Sequence, residues 1–148
     1  MSGQVKNLLL VEDSPGDVRL AREAFRTSAA DIQLHVAADG VDALRFLNRQ
    51  GDHADAPRPH LILLDLNLPR MDGRKVPARI KADQALKSIP TVILTTYDTE
   101  EDIAESYQLQ ANCYLKKPVE IEAFEGLVQS IGDLWLTTAA LPQQGRPT

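Results

Sequence analysis

A single cysteine, Cys113, stands in a chain of 148 residues, so no intramolecular disulfide can form. That count fits a reducing cytoplasm. No run of Lys and Arg offers a patch that could track phosphates, and the net charge is −5. Nucleic acid is therefore excluded as a default partner. Long hydrophobic stretches are absent as well. The N-terminal apolar run is only 8-LLLV-11, too short for a signal-peptide core or a membrane span. No glycine-rich phosphate loop follows that run, which argues against a nucleotide-binding fold. There is no internal repeat and no low-complexity segment. What is present is ordinary: 43% hydrophobic and 25% charged residues, the balance of an average soluble domain. The length suits one domain with a substantial core.

Five short apolar runs punctuate the chain: 8-LLLV-11, 32-IQLHV-36, 61-LILL-64, 91-TVIL-94 and 113-CYL-115. Segments of helical length and period lie between them. Val18, Ala21 and Phe25 share one face; Leu44 and Leu47 share another, as do Val76 and Ile80, and then Ile103 and Tyr107. The last helix carries Ile121, Phe124, Val128, Ile131 and Trp135 toward the core. Ser14-Pro15 reads as an N-cap followed by a first-turn proline, and Thr99 precedes three acids that suit a helix N-terminus. Pro77 falls in or near a first turn, where proline is tolerated. Strand alternating with helix five times predicts an α/β fold with a doubly wound, five-stranded parallel sheet. The first, third and fourth runs are continuously apolar and so belong inside the sheet. The second alternates and the fifth is short, which places both at edges. Right-handed crossovers then give the order 2-1-3-4-5, flavodoxin-like. The winding reverses between strands 1 and 3, and ligands bind beyond the carboxyl ends of strands at such a point.

Three acids occupy those ends: Glu12 and Asp13 after the first strand, and Asp65 after the third. One acid at a strand end is most simply a cap or a turn former. Three converging on one crevice repel one another. A hard divalent cation resolves the conflict, and Mg²⁺ is typically held by one or two carboxylates, waters and a phosphate. Thr95 closes the fourth strand and Lys117 follows the fifth. With the acids, they suit a phosphate built on a carboxylate.

The set 11-VED-13, 65-DLNLPRMDG-73, 94-LTT-96 and 114-YLKKP-118 resembles the receiver domain of two-component response regulators, the CheY-like fold. The likeness spans about residues 5–136, with 137–148 left as a mostly loose C-terminal tail. It implies that Asp65 accepts a phosphoryl group from a sensor histidine kinase. Glu12, Asp13, Asp65 and the main-chain carbonyl of Asn67 would hold Mg²⁺ or Mn²⁺. Thr95 and Lys117 would bind the phosphoryl oxygens, and Tyr114 would be the switch aromatic that follows Thr95. Such a protein catalyses its own phosphorylation and dephosphorylation without being a turnover enzyme. Asn67 and Tyr97 take the places that tune water attack on the acyl phosphate. Thr96 departs from the small residue usual there and crowds the path of Tyr114. Cys113 reads as a small buried hydrophobe.

Within that family, the long link 50-QGDHADAPRPH-60, the pair after Leu94 and the ending 133-DLWLTTAALPQ-143 are similar to stand-alone regulators paired with phytochrome kinases. The expected partners are thus a phytochrome-class kinase and a second copy of the chain, with no nucleic acid and no membrane. Few residues follow Trp135, so no DNA-binding output domain is expected. The message would leave through the helix after Thr99, the fifth strand and the last helix, where Leu127, Leu134 and Trp135 form the interface. Two other readings exist. A haloacid-dehalogenase-type phosphatase needs an acid at position 67, which is Asn67. A degenerate receiver serving only to bind proteins would have no need of intact Asp65, Thr95 and Lys117.

Overall fold

The computed structural model describes residues 5–26, 31–65, 75–95, 113–116, 118 and 120–133. Its elements run β1 (Val5–Val11), α1 (Pro15–Arg26), β2 (Asp31–Ala37), α2 (Gly40–Leu47), a single 3₁₀ turn (Gly51–His53), β3 (Leu61–Asp65), α3 (Lys75–Ala82), β4 (Thr91–Thr95), β5 (Cys113–Lys116) and the last described helix, α4 (Ile121–Asp133). All strand pairs are parallel, and the sheet order is β2-β1-β3-β4-β5. Both the fold class and the strand order match the reading from sequence.

The side-chain period of 2 along a strand divides the interior into two layers. Leu8, Leu10, Leu61, Leu63, Val92 and Leu94 point to one face, where they meet α1 and α4 through Ala21, Phe25, Phe124 and Val128. Leu9, Val11, Ile62, Leu64 and Ile93 point to the other and meet α2 and α3 through Ala43, Phe46, Val76 and Ile80. β3 is buried at all five positions, Asp65 included. Full burial of each such aliphatic side chain contributes about 1.5–3 kcal/mol. The central strands therefore form a stiff base for whatever projects from their ends.

Helix starts follow the capping chemistry. Ser14 Oγ accepts the Asp17 N–H at 3.3 Å, and Asp39 Oδ1 accepts the Asp42 N–H at 2.8 Å. Pro77 sits in the first turn of α3, as expected. Leu44 and Leu47 pack against the same core layer as expected, Leu47 buried and Leu44 half buried, with Ala43 and Phe46 beside them. One core expectation is corrected. Ile121, expected inside, is 59% exposed. Leu127 is half buried against the core layer it shares with Phe124. Among the described residues no helix is long and apolar enough to cross a membrane.

Candidate functional site: a carboxylate crevice at the sheet switch point

The register explains why the acids meet. Val11 of β1 pairs with Leu64 of β3 on one side and with Ala37 of β2 on the other. One residue further, Glu12 and Asp65 lie side by side. The Glu12 N–H donates to the Ala37 carbonyl at 3.0 Å, extending the β1–β2 ladder one step past the strand. Glu12 is thus held by sheet geometry although it belongs to a loop.

Carboxylate oxygens of Glu12, Asp13 and Asp65 all lie within 4.8 Å of one another. Glu12 and Asp65 are buried, 4% and 7% exposed, and Asp13 is open to solvent. Burial strips water from two like charges and leaves a third at the rim. Local bonds orient the set: Glu12 Oε2 accepts the N–H groups of Asp13 at 3.1 Å and Ser14 at 3.3 Å. Those amides open α1, where the helix dipole favours negative charge. Oε2 of Glu12 is thereby committed to the backbone. Three oxygen donors, one exposed and two buried, with room for water at the rim, fit a hard divalent cation that keeps part of its hydration.

The remaining expected site residues stand as follows. Asp65 pairs in register with Leu94, so Thr95 follows one rung further along β4, opposite Lys116. Thr95 and Tyr114 are placed by their backbones only. Asn67, Thr96, Tyr97, Lys117, Leu134 and Trp135 lie outside the described residues. Sequence reading missed Asp39, which is 7% exposed and caps α2 two residues after the carbonyl that anchors Glu12. Its spacing to Asp42, three residues on, was the available signal.

This geometry coincides with a match to known proteins. Residues 8–129 match the response regulator receiver domain, and the chain belongs to that family. It is 48% identical to response regulator Rcp1 of Synechocystis sp. over 141 residues, which covers 95% of this chain and 96% of that protein. Two solved structures superpose closely. The phosphorylated cyanobacterial phytochrome response regulator RcpA gives a TM-score of 0.90 at 44% identity, covering 95% of this chain and all of that one. The Mn²⁺-bound form of Rcp1 gives 0.88 at 48% identity, covering 93% and 99%.

Proposed function

We propose that this protein is the receiver of a two-component relay, taking a phosphoryl group from a phytochrome-class histidine kinase onto Asp65. The convergence of Glu12, Asp13 and Asp65 within 4.8 Å at the sheet switch point carries this reading. Asp65 sits at the end of a strand buried at all five positions, where its position is fixed and its hydration is low. In the transfer, the phosphorus–nitrogen bond of the kinase phosphohistidine breaks as a bond forms to an Asp65 carboxylate oxygen. The imidazole leaves and takes its proton from solvent. Glu12, Asp13, Asp65 and the Asn67 carbonyl would hold Mg²⁺. When bound, the cation offsets the charge that the incoming group adds to three acids. Thr95 and Lys117 would take up phosphoryl oxygens, and Tyr114 would follow Thr95 inward. Adding about two negative charges there reorganises the β4–β5 face.

The output is a changed surface, with homodimerisation through Leu127, Leu134 and Trp135. The protein acts in the cytoplasm, as a phosphoacceptor without substrate turnover. The likeness to Rcp1 and RcpA supports the phytochrome partner. The test is transfer of a labelled phosphoryl group from an autophosphorylated bacterial phytochrome kinase. Label on the wild type and none on Asp65→Asn is expected. Failure with that kinase, alongside success with acetyl phosphate, would remove the phytochrome partner and leave the receiver reading intact. Light scattering with and without phosphodonor tests the dimer; a strict monomer in both conditions would contradict it.

A further inference from the structure

The long link between α2 and β3 has no part in the phosphoacceptor chemistry, yet it walls a cleft of about 680 Å³. Leu47, Arg49, Pro57, Arg58, Pro59 and Leu86 are among its lining residues. The cleft lies where α2 ends and β3 begins, so the length of β3 separates it from Asp65: five residues at about 3.3 Å each. Arg58 braces its floor, donating to the Ala85 carbonyl and to Ser88 Oγ at 2.9 Å. The link is thereby tied to the segment after α3.

Arg49 is the unusual residue. The N–H of Arg49 reaches the Phe46 carbonyl at 3.1 Å, and the N–H of Gln50 reaches the Arg45 carbonyl at 2.9 Å. These two bonds end α2 in a Schellman motif, whose left-handed position usually belongs to glycine. Arg49 occupies it with φ 54°, a conformation that costs free energy for a residue with a Cβ. Its guanidinium has no ion pair or hydrogen bond among the described residues. A strained turn thus holds, at the edge of a cleft, a cation with no partner among the described residues. The lining contains two arginines and no acid, in a chain with 21 acidic and 16 basic residues.

We infer that this cleft docks an acidic peptide segment of a partner protein, a carboxylate meeting Arg49 while an apolar neighbour packs between Leu47, Leu86 and the two prolines. Charge complementarity sets the occupant's sign, since guanidinium pairs favourably with carboxylate. Its volume and apolar walls set the size, because about 300–1,000 Å³ accommodates several side chains and not a lone small anion.

The test uses the full chain and the peptide acetyl-ELLDE-amide, followed by amide chemical shifts. The variant Arg49→Gly removes the cation and suits the left-handed turn, so it stays folded. Shifts centred on Asn48, Ala85 and Leu86, weakened by salt and with affinity down about tenfold in Arg49→Gly, are expected. Equal binding by Arg49→Gly would overturn the proposal, as would shifts centred on the Asp13–Asp65 crevice, or no shifts at millimolar peptide. Acetate alone binding as tightly as the peptide would also overturn it, by assigning the cleft to a free anion. None of these outcomes depends on phosphorylation of Asp65.

Discussion

Replacing Asp65 by Asn should stabilise the metal-free protein while abolishing its function. At 4.8 Å and an effective dielectric near 20, two unit charges repel by about 3.5 kcal/mol. Glu12 and Asp65 are both buried within that distance, so their repulsion is little screened. Exposed Asp13 adds less, because water surrounds it. Against the relief stands the new amide, which must find partners in a buried place at a cost of about 1–3 kcal/mol if it does not. About 0.5–2.5 kcal/mol of net stabilisation remains. For a domain of this size that corresponds to a melting temperature about 1–10 °C higher. The assay is thermal unfolding by circular dichroism in EDTA, repeated with Mg²⁺. With Mg²⁺ at a hundredfold its dissociation constant, the wild type should gain about 2.7 kcal/mol, and the difference should close or reverse. An Asp65→Asn variant that melts at or below the wild type in EDTA would refute the reasoning, since the acids would then not be in conflict.

Other outcomes follow from single contacts. Ser14→Ala removes the cap bond to the Asp17 N–H and should cost about 1 kcal/mol by urea denaturation. It should also weaken Mg²⁺ binding in a calorimetric titration, because the amides holding Glu12 belong to that turn. His60 and His35 are both held below the ordinary imidazole pKa by burial first, then by Lys6 and Arg22 respectively. The folded state therefore resists their protonation. Their contribution is complete above pH 6.5 and is lost as the pH falls through 6.5 toward the lower folded values. Urea midpoints should fall from pH 8 to pH 5.5, and His60→Gln should flatten that slope; an unchanged slope would dissociate His60 from it. Tyr97→Ala should shorten the lifetime of the phosphorylated form, and an equal lifetime would show that Tyr97 does not shield it.

The sheet was legible because its signal is one-dimensional. Continuous apolar runs mark β1, β3 and β4 as covered on both faces, and the alternation of β2 marks an edge. The meeting of Glu12, Asp13 and Asp65 followed from topology, as each is a strand-end residue at the one place where the winding reverses. Long-range packing was not legible. Phe46 fills the α2 interface because its ring meets His35 at 5.3 Å and His53 at 5.4 Å, and these partners lie on β2 and on the link. Ile121 fits the periodic face of α4 yet is exposed, because period assigns a face and not how far along the helix its partner extends. The bonds from Arg58 to Ala85 and Ser88 span 27 and 30 residues of chain, which no local pattern encodes.

The central claim is that three mutually repelling acids converge so that one can carry a phosphoryl group. Intact-mass measurement after incubation with acetyl phosphate and Mg²⁺ tests it most directly. The wild type should gain the mass of one phosphoryl group, the gain should vanish with EDTA, and Asp65→Asn should gain nothing. A wild type that never gains the group, or an Asp65→Asn variant that gains it equally, would contradict the account.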